Sequence, residues 1–239
     1  MADGQADRLY FRQLLSGRDF ALGDPIARQM VNFAYLIGDR GTGEALLVDP
    51  AYATSDLLDI LAEDDMTPVG VLATHFHADH IGGDLMGHSV EGISNLLEKI
   101  DVPVHVQAEE VPWIERTTGV STNLRPHQSA DTVLVGEISV ELIHTPGHTP
   151  GSQCFFVDGR LVSGDTLFLE GCGRTDFPGS DPTAMYESLT QRLAKIPDDA
   201  LLFPGHFYSE EASQELGETR RLNWALMPRS VDEWLRIFG

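Results

Sequence analysis

Apolar residues fall into short runs of strand length, bounded by Gly, Asp or Pro, at Leu9 to Leu15, Val31 to Ile37, Ala45 to Val48 and Val69 to Ala73. Such runs predict buried strands. Between the third and fourth, Ser55 to Asp64 sets its apolar residues at helical spacing behind a Thr/Ser cap, which predicts a helix. The second half repeats the pattern, with predicted strands at Val102 to Val106, Thr132 to Val135, Ile138 to His144, Gln153 to Val157, Arg160 to Ser163 and Leu201 to Phe203, and a hairpin turn at Asp158-Gly159. Helices are predicted at Ala108 to Thr117, at Val231 to Phe238, and at Pro182 to Ile196, which opens behind Ser180/Asp181 with a proline in its first turn. Strands followed by a helix, twice over, imply one domain over residues 1–239, with two mixed sheets packed face to face and helices outside. Periodicity alone fixes the α/β class and no more.

Composition narrows the function. A formal charge of −21 and a pI near 4.5 set a repulsive field against nucleic-acid phosphates, so nucleic acid is not an expected partner. No run reaches the roughly 18 apolar residues of a membrane span, and Met1 to Asp7 is small and acidic rather than secretory in pattern. A cytoplasmic protein with a small-molecule substrate and no membrane partner is expected; a homo-oligomer is compatible with this. Cys154 and Cys172 are too few for a disulfide framework and are expected to be free thiols.

The chemistry is concentrated in His75-Phe76-His77-Ala78-Asp79-His80, which follows an apolar strand with no gap. A loop at a strand's C-terminal end lets several side chains converge on one point. Two imidazoles at i and i+2 can meet one metal, while an Asp and a His at i+4 and i+5 face a second. Three further candidates also follow a strand-like run and a glycine: His148, Asp165 and His206. Imidazole and carboxylate donors suit zinc, iron, manganese or nickel and exclude a thiolate structural site. The expected arrangement is a pair of divalent ions. One is held by His75, His77 and His148, the other by Asp79, His80 and His206, with Asp165 between them; zinc ranks first, with iron or manganese as alternatives. Water on such a metal, its pKa lowered to about 7, would serve as a hydroxide nucleophile, with Asp79 and Asp165 as the acidic residues at the reacting centre.

These pieces together resemble the metallo-β-lactamase fold superfamily over roughly Leu9 to His206, which implies an αββα sandwich with the metals at one edge. Within that superfamily, Ser163 to Phe177, which contains Gly171-Cys172-Gly173-Arg174-Thr175-Asp176-Phe177, is similar to the glyoxalase II-like thioester hydrolases and to the persulfide dioxygenases. Both groups act on glutathione-linked substrates. In the glyoxalase II group a basic residue just after Gly-Cys-Gly helps to hold glutathione, and Arg174 falls there. A forked guanidinium suits a carboxylate. Two departures stand out: only 33 residues, 207–239, follow His206 as a short extension, and residues 84–101 form an insertion with an amphipathic helix starting near Ser89. That insertion is expected close to the site, with Met86 and His88 touching substrate.

The leading expectation is a binuclear hydrolase of a thioester of the hydroxyacylglutathione kind or a related ester. The alternative is a persulfide dioxygenase acting on glutathione persulfide with a single iron on His75, His148 and Asp165. A non-catalytic metal-binding scaffold ranks last, because no ligand of the set is missing.

Overall fold

The computed structural model describes residues 8–239, so the reading of Met1 to Asp7 lies outside the described residues. The first half supplies β1 (Leu9–Leu15), β2 (Phe33–Asp39), β3 (Glu44–Val48) and β4 (Thr67–Leu72), a hairpin of β5 (Gly83–Leu85) and β6 (His88–Val90), then β7 (Val104–Gln107) and β8 (Leu124–His127). The second half supplies β9 (Thr132–Val135), β10 (Ile138–His144), β11 (Gln153–Val157), β12 (Arg160–Gly164), β13 (Leu201–Pro204) and β14 (Gln214–Glu215). They form two six-stranded mixed sheets, β1-β2-β3-β4-β7-β8 and β14-β13-β12-β11-β10-β9.

Strand alternation decides the layering, because successive side chains point to opposite faces. Along β2, Phe33, Tyr35 and Ile37 face the space between the sheets, while Ala34 and Leu36 face the outer helical layer. Along β10 and β11, Ile138, Val140, Leu142, Phe155 and Val157 face the same central layer from the other side. Outward, Ile143 and Cys154 meet Met185, Leu189 and Trp234 of the second helical layer. With both faces covered, β2 and β11 read as nearly continuous apolar runs, whereas β10 still alternates at Ser139 and Glu141. The result is the αββα sandwich expected.

Several boundaries differ from expectation for identifiable reasons. The second strand begins at Phe33 rather than Val31, because a helix at Pro25–Met30, capped by Asp24, ends with Val31 in the left-handed region (φ 49). The insertion is not helical from Ser89: that residue lies in β6, and the helix is only Ile93–Leu97. Met86 (φ 52) and Gly87 (φ 87) supply the two left-handed positions of a tight hairpin turn between paired Leu85 and His88. The helix predicted over 182–196 is regular only over Pro182–Glu187, then widens to a π turn at Ser188–Arg192 and tightens at Leu193–Lys195. The one predicted over 108–117 is a 3-10 turn followed by a helix at Val111–Thr118. Leu124-Arg125-Pro126-His127 forms β8 although its pattern is polar, since it is the edge strand.

Residues 207–239 complete the second outer layer, where Trp234 is fully buried and stacks on Phe238 with centroids 3.8 Å apart. No helix of the described residues is long and apolar enough to cross a membrane. Replacing Trp234 with Ala should destabilise the chain by about 3–5 kcal/mol, measured as a lower urea midpoint; an unchanged midpoint would show that this terminal helix is not part of the cooperative unit.

Candidate metal centre

Strands β10, β12 and β13 run in the same direction, since β11 is antiparallel to both β10 and β12 while β13 is parallel to β12. Their C-terminal ends therefore open at one edge of the sandwich. The loops leaving them carry His148, Asp165 and His206. The loop after β4 meets them there: the N–H of Gln153, the first residue of β11, donates to Thr74 O at 2.9 Å. A single helical turn, Ala78–Ile81, then buries Asp79 and His80 behind His75 and His77. Gly164 (φ 49) makes the turn into Asp165, and a Cβ on Gly205 would lie 2.4 Å from Asp165 Oδ1. Both positions need glycine.

All seven predicted ligands converge. Nε2 of His75 and Nε2 of His148 each lie 3.0 Å from Nδ1 of His77. On the other side, Nε2 of His80 stands 3.2 Å from Nε2 of His206 and 3.6 Å from Asp79 Oδ2, and His206 Nε2 is 3.4 Å from that oxygen. Asp165 spans the two groups, with Oδ1 3.4 Å from His80 Nε2 and Oδ2 3.4 Å from His206 and 3.6 Å from His148. Donors around a tetrahedral ion with bonds of about 2.1 Å stand roughly 3.4 Å apart. The observed spacings match that figure.

The donors themselves call for a cation. Asp165 Oδ1 is buried and accepts no hydrogen bond, a costly state for a carboxylate unless an ion takes the lone pair. In four of the five rings the other nitrogen is committed elsewhere. Nδ1–H of His75 donates to Thr74 Oγ1 (2.9 Å), that of His80 to Asp49 Oδ2 (2.9 Å), that of His148 to the carbonyl of Arg174 (2.8 Å) and that of His206 to the carbonyl of Met30 (2.8 Å). Each bond fixes the tautomer that leaves Nε2 bare toward the centre. Asp49 also accepts from the Thr74 N–H (2.7 Å) and hydroxyl (2.6 Å), so one carboxylate orients two ligands.

Electrostatics agree. Burial and the neighbouring imidazoles push His75 well below its usual value, and burial with His148 pushes His77 to about 4, which keeps both neutral as ligands must be. Burial opposes protonation of His80 and His206, yet Asp79 and Asp165 overcome it and draw both upward. Burial alone would raise Asp165, but His206 and His80 hold it well below the carboxylate range. The carboxylates thus demand positive charge at this point, and a divalent cation would supply it.

In front of the ligands lies a cavity of about 890 Å³, reached by His77, Asp79, His148, Asp165 and His206. Arg174 lines it, but its guanidinium is exposed and held in a fork by Asp176 (2.9 and 2.7 Å); its backbone carbonyl, not its side chain, touches a ligand. Met86 also lines it from the hairpin turn. His88 does not: it is exposed on β6, whereas β5 is the strand packed against the helices Ala78–Ile81 and Val111–Thr118. Cys172 lines the wall with its thiol pushed by burial up to about 12, which removes it as a nucleophile. His144 donates to the Pro150 carbonyl (2.9 Å) and so braces the His148 loop, while His105 and His127 pair with each other away from the centre.

Four supporting residues carried no signal of their own in the sequence reading: Asp49, Asn32, Tyr52 and Glu110. Asp49 could have been found, because it too follows a strand at the metal edge, in Val48-Asp49-Pro50. Asn32 Nδ2 donates to Asp79 Oδ2 at 3.1 Å and lies 3.2 and 3.5 Å from Nε2 of His80 and His206, while Tyr52 donates to its carbonyl oxygen. Buried Glu110 accepts from Phe76 N, Gly151 N and Thr149 Oγ1, tying the His75–His80 loop to the His148 loop.

Residues 28–206 match the profile of the metallo-beta-lactamase superfamily. The chain is 30% identical over 237 residues to the human protein named persulfide dioxygenase ETHE1, mitochondrial, covering 95% of this chain and 86% of that one. It is also 30% identical to a probable polyketide biosynthesis zinc-dependent hydrolase, BaeB, of Bacillus velezensis, covering 77% of each. Among solved structures, ETHE1 from Myxococcus xanthus superposes with a TM-score of 0.78 at 31% identity, covering 96% of this chain and 89% of that one.

Asp49→Asn keeps a residue that tolerates the left-handed backbone at this position (φ 51) but removes the charge that orients His75, through Thr74, and His80. Metal affinity should fall about 10–100-fold in chelator competition while the folded far-UV spectrum persists. Undiminished affinity would show that Asp49 is structural only.

Proposed function

The chain belongs to the metallo-beta-lactamase superfamily, and on that footing we propose that it is an iron-dependent dioxygenase acting on a persulfide carried by a small thiol. The observation that carries this reading is Asn32. Its amide nitrogen stands 3.1, 3.2 and 3.5 Å from the donors of Asp79, His80 and His206, beside the position a second ion would take. With its nitrogen turned inward the amide offers no lone pair to a cation there, and an ion would first have to turn it, which supports one metal on the His75, His148 and Asp165 side, with His77 beside it. Two His and one carboxylate with positions left open is the donor set of non-haem iron oxygenases. The likeness to proteins named persulfide dioxygenase, over nearly the whole chain, supports the same choice.

Iron bound there would supply dioxygen activation, and the chain's own residues do the rest. Nε2 of His148 is presented to the cavity floor by the Nδ1–H bond to the Arg174 carbonyl, and the Asp165 carboxylate by the turn at Gly164 and the close approach of Gly205. Phe177 stands edge-on to His77 (5.3 Å) and His148 (6.1 Å), and Phe76 stacks on Trp113 (4.8 Å), so apolar rings surround the point where the sulfur would approach and keep bulk water back. Overall, a persulfide, dioxygen and water give the thiol, sulfite and two protons; the terminal sulfur loses four electrons and dioxygen takes them up.

Thioester hydrolysis, ranked first on the sequence, becomes the second reading. The complete seven-ligand set and the likeness to a zinc-dependent hydrolase support it. Metal analysis of protein purified without added metal, with oxygen uptake on organic persulfides, separates the two. One equivalent of iron and oxygen consumption are expected. Two equivalents of metal with thioester hydrolysis and no oxygen uptake would reverse the order.

A further inference from the structure

The cavity's charges do not suit glutathione. Its wall is largely apolar, with Met30, Phe76, Leu85, Phe168, Phe177 and Trp224 facing inward. Apart from the metal ligands, the charged residues lining it are Asp84, Glu170 and Arg174. The first two are exposed acids. Arg174 is the one base among the described residues of the wall, and it is already engaged: both its Nε and an Nη are bonded to Asp176, and its guanidinium lies 4.3 Å over the Phe177 ring. A carboxylate entering here would have to displace Asp176 and pass two acids, in a chain of net charge −21. Glutathione brings one ammonium, which Asp84 or Glu170 can accept, but also two carboxylates, one at each end of the tripeptide. The wall offers no unengaged cation for either, and a carboxylate stripped of water without a partner is disfavoured.

Resting on the persulfide reading above, we propose that the thiol carrier of the substrate is apolar and free of carboxylates, an aryl or alkyl thiol whose hydrocarbon part packs on the Phe76, Phe168, Phe177 and Trp224 surfaces. Specificity then comes from two sides: apolar area attracts the carrier, and the acids at Asp84 and Glu170 repel anionic competitors.

The test uses the full-length, metal-loaded chain and two unreactive thioethers, S-methylglutathione and 2-phenylethyl methyl sulfide, titrated by calorimetry. Binding of the phenylethyl compound should be about tenfold tighter or more, and the double variant Asp84→Asn, Glu170→Gln should narrow the gap about threefold at low salt, with the difference shrinking as salt is added. Equal or tighter binding of S-methylglutathione, or no measurable binding of the phenylethyl compound, overturns the inference. Oxygen uptake with the corresponding persulfides reports separately on the reaction. If neither persulfide consumes oxygen while the thioether preference holds, the dioxygenase reading fails and the carrier assignment stands.

Discussion

Each ligand imidazole whose two nitrogens are both accounted for is gripped by its far nitrogen, and the rest of the centre depends on that grip. Thr74, Asp49, Arg174 and Met30 accept the Nδ1–H groups of His75, His80, His148 and His206 in turn. An imidazole offers one donor and one acceptor when neutral, so committing the N–H outward leaves Nε2 with a lone pair and a fixed direction. Two of the four acceptors are backbone carbonyls, at Met30 and Arg174. They can be in place only if the helix before β2 and the Gly171 to Phe177 loop are folded. The metal centre is therefore a readout of tertiary structure, and the reverse also holds, because four buried donors with no cation between them are mutually unfavourable.

The sandwich makes that grip geometrically available. Three strands of the second sheet end together, and the end of β13 is stitched to the start of β2 by hydrogen bonds from Phe33 N to Gly205 O and from Phe207 N to Val31 O. These bonds bring Asn32 opposite His206. Glu110 performs the matching task on the other side, where its carboxylate accepts three donors from the two loops that carry His75 to His80 and His148. Burial raises its carboxyl to about 7 even though those three donors favour the charged form, so the tie is made at an electrostatic cost. The two rims of the centre are held by different chemistry, main-chain pairing on one and a buried acid on the other.

What the sequence made legible follows from this division. The seven ligands announced themselves because His and Asp are scarce side chains placed directly after apolar strand runs, and that conjunction has few other causes. The central strands were legible because burial on both faces makes them continuously apolar. The supporting residues were not, since Asn32, Tyr52 and Glu110 are ordinary residue types whose role exists only once β2, Ala51-Tyr52 and the helix after β7 are brought together. The insertion was misread as helical from Ser89 for a local reason: Met86-Gly87 encodes a hairpin turn, but a non-glycine residue with positive φ at its first position hides the signal. Arg174 shows a third kind of limit. Its position in the chain fits a carboxylate-binding role, whereas its availability depends on Asp176, two residues away, which could equally have pointed elsewhere.

The choice of chemistry turns on how many cations the donors hold, and there the two rims differ. Around His75, His77 and His148, bare ring nitrogens stand 3.0 Å apart and no protein donor lies between them, so this rim is left for an ion. Around Asp79, His80 and His206, the Asn32 amide already contributes an N–H, anchored from behind by the Tyr52 hydroxyl. To admit a cation there, Asn32 would have to turn its carbonyl inward and accept a reversed bond with Tyr52, in which the amide donates to the phenol oxygen. The phenol can act either way, so this reversal costs no hydrogen bond in principle, but it must be driven by the incoming ion. A centre with one open rim and one rim already satisfied by protein would fill its first position at lower metal than its second. Two positions of unequal affinity can in this way coexist without the loss of any of the seven candidate ligands.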